Sequence, residues 1–449
     1  MSATERRAVV SLASLYTFRM LGLFMLLPVL SLYAAEYEFS TPVLVGLALG
    51  VYGLGQAALQ VPLGMLSDRI GRKPVIISGL LLFIAGGLIA AGADTIFGVI
   101  GGRLLQGTGA IASTLTALLA DLTREQHRTK AMAAIGMSIG VSFGVAMVLG
   151  PLIASWFGVS GLFFSTSILA SLGILITLFL VPTPDVQGVD ANNQSLGGLL
   201  GRCLRDSNLM RLNIGIFSLH AILMAIFVAV PGMFEEQGLP RDDHWLVYLP
   251  VMVVAFIAMV PLIIVAETRN KMREVFLFGI ASMMLVLAVA VYLGQLFIPL
   301  IIIVTLFFVA FNLMEASLPS LVSKTVYPGG KGTAMGVYST FQFFGAFCGG
   351  AIGGGLLGRW GSGAVFAGAA VLAGAWLVVA WGMIVPPKSE SLIVNWQFGT
   401  WDAAGIRREF LAMPGALDIT VLESERIAYL RVGSDFDPEN LPKGLRLGS

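Results

Sequence analysis

The chain has 449 residues, of which 57% are apolar and only 12% charged, with a formal net charge of +1. Soluble domains carry about 25% charged residues, so a chain with a mean hydropathy of +0.87 cannot clothe a water-facing surface. Its near-neutrality offers nothing to nucleic acid or to a strongly acidic partner. Cys203 and Cys348 give neither a disulfide framework nor a metal-ligand spacing, so no metal and no cofactor is expected.

In chain order, Arg6 and Arg7 precede an apolar stretch from Val9 to Ala35. A signal-peptide core is about 7–15 residues, so this longer run reads as a membrane span. A span needs about 20 apolar residues to cross roughly 30 Å of hydrocarbon. Windows of that size predict helices at 9–34, 42–66, 74–93, 96–119, 131–155 and 160–181. After a polar break from Pro182 to Met210, six more follow at 211–233, 246–266, 274–293, 298–321, 332–356 and 361–385, and Pro386-Pro387 closes the set. The organisation expected is an N-terminal six-helix bundle over 1–182, a cytoplasmic linker over 183–209, a C-terminal six-helix bundle over 210–387 and a cytoplasmic tail domain over 388–449. The fold class is an all-α membrane protein of twelve transmembrane helices plus a small α+β domain.

The loops predict orientation. With the N-terminus in the cytoplasm, the clusters Arg6-Arg7, Arg69/Arg72/Lys73, Arg124/Arg128/Lys130, Arg202/Arg205/Arg211, Arg269/Lys271/Arg273 and Lys324/Lys331 all fall inside, against Arg241 and Arg359 outside. That asymmetry follows the positive-inside rule and puts both termini in the cytoplasm. The halves also repeat faintly. Phe24 and Pro28 match Phe227 and Pro231, and Pro62-Leu63 precedes Asp68 as Pro261-Leu262 precedes Glu267. Parallel repeats of this kind suit a transporter whose halves rock about a midplane site. The linker segment from Leu196 to Leu204 reads as a short interfacial helix or a simple tether.

From Ser389 the character is that of a soluble segment. Leu392, Val394, Trp396 and Phe398 alternate as in a strand. Thr400 is placed to cap a helix running to Met413, and strands follow at Asp418–Leu422 and Arg426–Val432. The order β-α-β-β suggests a ferredoxin-like module of about 60 residues. After Asp437-Pro438 a final helix and strand are poorly supported, which leaves the completeness of the module open.

Polar residues inside apolar spans mark the candidate chemistry. Arg19, Arg103 and Glu315 lie well within such runs, each at an insertion cost of roughly 2.5–3.5 kcal/mol, so they should face a cavity or pair with one another. Glu315 is the one carboxylate clearly inside the second set of spans, read as a proton carrier or as half of a buried ion pair. His220 titrates in the right range for coupling or is a packing histidine, and Arg19 is a cavity residue or an anchor. Gln56 and Gln60 share a helix face and are expected to line the cavity with Asn312.

The most specific sequence motif is Gly64-Met65-Leu66-Ser67-Asp68-Arg69-Ile70-Gly71-Arg72-Lys73, on the loop between the second and third spans. Gly64 permits close helix approach and Gly71 a tight turn. Asp68 suits a facing helix N-terminus, and Arg72 can reach Asp121 on the next hairpin. This loop resembles motif A of the major facilitator superfamily. Arg103, Gln106, Gly107, Gly109 and Ala110 are similar to that family's motif B. Gly140, Gly144 and Gly150-Pro151 are similar to motif C of its drug–proton antiporters, with Ala146 and Ala154-Ser155 in place of expected glycines. The segments Phe18–Gly22, Phe311–Ala316 and Lys331–Ser339 resemble a bacterial branch of the family that carries a ferredoxin-like C-terminal domain.

The resemblance spans about 385 residues and implies proton-coupled export of small lipophilic molecules by alternating access from a bacterial inner membrane. Arg103 would then tune the proton affinity of a carboxylate, since an arginine keeps its own proton. The implied partners are a small-molecule substrate, protons and membrane lipid, with the chain working as a monomer. Two rivals stay open: a symporter or facilitator importing a metabolite, and a transporter-derived sensor with little flux. The chain lacks a P-loop and a nucleophile constellation, so no enzyme is expected.

Overall fold

The computed structural model describes residues 1–183, 196–326 and 331–384, and in the tail 390–396, 402–422, 427–433, 435–437, 441 and 445–447. The first expected span is two helices, not one. Helix α1 (Ala3–Phe24) starts with a capping box, in which Ser2 Oγ accepts from Glu5 N and the Glu5 carboxylate accepts from Ser2 N. It gives way at Met25-Leu26 to α2 (Leu27–Tyr33), with Pro28 in the new first turn. Proline lacks the N–H an ongoing helix needs, which is why the chain re-starts there. Helix α3 (Pro42–Ile70) ends at Gly71, whose φ of +96° turns the chain directly into α4 (Arg72–Ala91).

The window 96–119 is likewise divided, into α5 (Ile96–Thr108) and α6 (Ala112–Asp121). The next two windows run together as α7 (Glu125–Phe179). At 1.5 Å per residue its 55 residues would reach about 80 Å, far beyond one bilayer. Gly158, at φ +65° and ψ −172°, breaks it into two crossings. The linker holds α8 (Leu196–Arg205). Then come α9 (Ser207–Glu236), N-capped by Asp206, α10 (His244–Thr268), α11 (Met272–Leu293), α12 (Phe297–Thr325), α13 (Lys331–Trp360) and α14 (Ser362–Trp381). Among the described residues, ten helical stretches are long and apolar enough to cross a membrane. The shortfall from twelve is local: α5 and α6 each fall short alone, and α7 counts once.

These helices pack with large apolar side chains outward. Phe179, Val378, Trp156 and Ile257 are each about two-thirds exposed or more, a surface no soluble monomer presents. Helix α9 is enclosed along most of its length while α10 is mostly outward, so α9 is central and α10 faces lipid. The halves meet chiefly where α3 lies against α13, with smaller contacts of α2 on α9 and α10 on α7. At one end α3 and α13 touch backbone to backbone: a Cβ on Gly46 would sit 2.2 Å from Gly350 O, and one on Gly354 would sit 2.4 Å from Pro42 O. Small residues allow this approach. Polar contacts tie the same end, with Tyr33 OH donating to Asp242 at 3.2 Å and Arg241 pairing with Glu36 at 2.5 Å while lying 4.4 Å over the Tyr33 ring. Toward the opposite end the halves diverge. Around Gly136, Gly140 and Gly336 no atom lies within 4 Å of an added Cβ.

The two halves use one device at their ends. Arg7 donates to the carbonyls of Phe179 and Leu180, and Lys73 to that of Val181, closing the last turn of α7. Arg273 does the same for Trp381 and Met383 after α14. These carbonyls have no partner within their own helix, and a cation there also suits the helix dipole.

In the tail, β1 (Glu390–Trp396), α15 (Ala403–Leu411), β2 (Ala416–Leu422), β3 (Ile427–Val432) and β4 (Leu445–Leu447) form a sheet of order β2-β3-β1-β4 with antiparallel neighbours. Val394, Ile406, Phe410, Ile419 and Leu430 make its core. The helix cap is Asp402, whose Oδ1 accepts from Gly405 N; Phe398 and Thr400 lie outside the described residues. Strand β4 is the final strand that the sequence supported only poorly: three residues are too few for a visible alternation, and pairing with β1 defines them.

Candidate functional site

The motif loop is built around Arg72, which is 17% exposed at its side chain. It pairs with Asp68 one turn back, donates Nε–H to Asp121 Oδ2 at 3.0 Å and donates Nη1–H to Ser67 Oγ at 2.7 Å. Ser67 Oγ in turn donates to Gly64 O. Gly71 supplies the positive φ that lets Arg72 turn back on α3. A Cβ on Gly64 would meet Ser113 Oγ of α6 at 3.1 Å. Arg69 is exposed. At the matching position of the second half, Lys324 on α12 pairs with Glu267 on α10 at 2.9 Å.

Arg103 is fully enclosed, and each of its nitrogens finds an acceptor. Nε and Nη2 donate to Ala48 O and Leu49 O at 3.4 Å, Nη1 donates to Gln106 Oε1 at 3.2 Å, and the guanidinium lies 4.9 Å over the Tyr52 ring. Gln106 passes the chain on to Thr166 Oγ1 at 3.5 Å. α3 comes this close because Gly107 faces Tyr52 O, where a Cβ would sit 2.3 Å away; Gly109 faces Gly79 O at the same distance. Gly150, just before Pro151 in α7, packs against Met25 O at the break between α1 and α2. Gly144 meets the Phe256 ring of the other half.

Glu315 lies in α12 with 32% of its side chain exposed, although its Oε2 is enclosed without a hydrogen-bond partner. Its Oε1 accepts from Gln342 Nε2 at 3.5 Å, and its Oε2 lies 3.9 Å from His220 Nε2. Gln342 Nε2 is 2.9 Å from the same histidine nitrogen. The Tyr338 hydroxyl on α13 is enclosed without a hydrogen-bond partner. Phe311 sets its ring against His220 at 6.0 Å and joins Phe308 and Phe143, an aromatic cluster that crosses from one half to the other.

The structure therefore separates two residues that the sequence reading coupled. The described partners of Arg103 all belong to the first half and those of Glu315 to the second. Arg19, Gln56, Gln60 and Asn312, expected on a cavity wall, are each at most 6% exposed. Arg19 Nη2 donates to Tyr52 OH and to Gly109 O at 3.3 Å, and Gln56 Nε2 donates to the same tyrosine at 2.9 Å. Gln342, Tyr338 and Tyr52 are the residues sequence reasoning missed. Tyr52 sits four residues before Gln56, a helical spacing that places it on the same face; Tyr338 lies in the Lys331–Ser339 segment that carries the resemblance, with no role assigned to it, and nothing in the sequence marked Gln342.

A polytopic membrane protein of two helical halves, closed at one end and holding isolated polar centres between apolar helices, belongs to the class of transporters. The Major Facilitator Superfamily profile matches residues 12–347. The chain is 45% identical over 435 residues to "Inner membrane transport protein YajR" of Escherichia coli (strain K12), covering 97% of this chain and 96% of that protein. It is 26% identical over 343 residues to "Multidrug resistance protein MdtH" of Yersinia enterocolitica, covering 74% and 81%. In fold it is similar to the crystal structure of a D-xylose-proton symporter, with TM-score 0.68 at 16% identity over 85% of this chain and 97% of that one. The chain belongs to the Major Facilitator Superfamily. Its fold and relatives are those of membrane transporters, not enzymes.

Proposed function

We propose that the protein is a proton-coupled secondary transporter that exports small lipophilic molecules across a bacterial inner membrane. Both termini and the Gly64–Lys73 loop face the cytoplasm, as the basic loops indicate, so the structure is closed at the periplasmic end and parted at the cytoplasmic end. The observation that carries the reading is Glu315: a carboxylate within a membrane span, partly exposed, with one oxygen unpartnered and with an amide and an imidazole as its neighbours. A carboxylate in that setting can exchange its proton as the surroundings change. His220 and Gln342 take the tuning role expected of Arg103, whose contacts make it a tie between α3 and α5. The Arg72, Asp68 and Asp121 cluster is the latch that closes the cytoplasmic side in the alternate state. The tail's strand order matches a split β-α-β arrangement of ferredoxin-like type. The chain works as a monomer.

The test uses inside-out vesicles with an interior-acid gradient read by a fluorescent dye, challenged with lipophilic cations, antibiotics and metabolites. Compound-dependent dissipation that Glu315→Gln abolishes is the expected result. Dissipation retained in Glu315→Gln removes that residue from the proton path. No response to any compound removes proton-coupled export in favour of uptake or sensing.

A further inference from the structure

Arg103 and Arg19 are both enclosed guanidinium groups in the first half, and the structure treats them differently. Arg103 has an acceptor for every nitrogen. Arg19, 3% exposed, has acceptors only at Nη2; its Nε and Nη1 reach none. A guanidinium does not shed its proton in proteins, so three N–H groups and a positive charge stand uncompensated in the membrane interior. No salt bridge involves Arg19 among the described residues, whose ion pairs lie at the ends of the helices or around Glu315. Leaving donors on a charged group unpaired costs more than leaving neutral ones.

The placement of Arg19 makes this a site instead of a packing flaw. Its anchor Tyr52 also accepts from Gln56 and sets its ring 6.4 Å from that of Phe343 on α13. Tyr52 therefore sits on the seam between the halves, one hydrogen bond from Arg19. The Tyr52 ring also meets that of Phe83 edge-on at 6.3 Å, so aromatic rings flank the residue that anchors Arg19. A cation with open donors beside an aromatic surface fits a ligand with an oxyanion at one end and an apolar body at the other.

We propose that Arg19, positioned by Tyr52, is the binding site for the oxyanion group, carboxylate or phosphate, of the transported molecule. This rests on the transport reading but not on Glu315. The substrate is then an organic anion, and Arg19 gains its missing acceptors when substrate enters.

The experiment is thermal unfolding of the purified full chain, with sodium benzoate and sodium phosphate titrated separately against sodium chloride at equal ionic strength. Tetraphenylphosphonium serves as the cationic counter-probe. Saturable stabilisation by benzoate, by phosphate or by both is expected, and which one acts tells carboxylate from phosphate. Arg19→Gln abolishes it, and Arg19→Lys and Tyr52→Phe raise the half-saturating concentration by about tenfold or more, the scale of a lost hydrogen bond to a charged group. Should Arg19→Gln not fold, the two milder variants decide. Half-saturation unchanged in both, an undiminished response in Arg19→Gln, or no anion response in the native chain overturns the proposal. Anion binding through Arg19 in a chain whose vesicles move no protons upholds this site while removing the export reading. Proton-coupled responses to cations without anion binding do the reverse.

Discussion

Replacing Gly350 by alanine tests whether the contact between α3 and α13 holds the observed state. The new Cβ would lie 2.4 Å from Gly46 O and 3.0 Å from Gly50 Cα and N. These are backbone atoms, so no rotamer change relieves the overlap, and the helices must separate. Overpacking of this sort costs about 1–3 kcal/mol. The polar contacts at the same end are weaker opponents: Arg241 and Glu36 are 39% and 59% exposed, where a pair contributes about 0–1 kcal/mol. In the alternate state the two glycines part and the methyl group meets open space, so the cost falls on one state alone. A bias of that size moves the population ratio about 5–150-fold. Leu49 on α3, 1% exposed, reports it: with Cys203 and Cys348 replaced by alanine, Leu49→Cys is labelled by a membrane-impermeant maleimide. Labelling is expected to accelerate by that factor in Gly350→Ala. Gly355→Ala is the control, because nothing lies within 4 Å of its Cβ and the gain in helix propensity, about 1 kcal/mol, is common to both. Equal rates in the two variants, at equal amounts of inserted protein, would refute the reasoning.

Gly71→Ala places a side chain at φ +96°, a strain of about 1–3 kcal/mol; the unfolding temperature should fall, whereas Gly101→Ala, inside α5 with open space around it, should raise it slightly through helix propensity. Arg103→Lys replaces a three-way tie with a single ammonium that cannot reach Ala48 O, Leu49 O and Gln106 together. Its unfolding temperature should drop even in vesicles where proton coupling, read by the dye assay, persists. Phe410→Ala removes a fully enclosed ring from the tail core at about 3–5 kcal/mol. Limited proteolysis should then cut the tail and spare the membrane part.

The membrane part was legible because lipid makes composition decisive: a run of 20 apolar residues has few other fates. The breaks were not, since each depends on a neighbour. The chain parts at Gly109, where Gly79 O comes within 2.3 Å of a notional Cβ, and at Met25, whose carbonyl packs on Gly150. The partners of Arg103 were not legible for a related reason. Close helix approach at Gly107 brings two backbone carbonyls within its reach, and a helical carbonyl keeps a lone pair after its own hydrogen bond. Glu315 was legible as a lone charge in an apolar run, while Gln342 was not, because an amide twenty-seven residues on carries no mark of which helix face it shares. The contrast between the two arginines extends the argument. Glycines that let carbonyls compensate one guanidinium stand beside Arg103, whereas Arg19 has only Gly109 O and a tyrosine. Where backbone supplies too few acceptors, the proposed oxyanion supplies the rest.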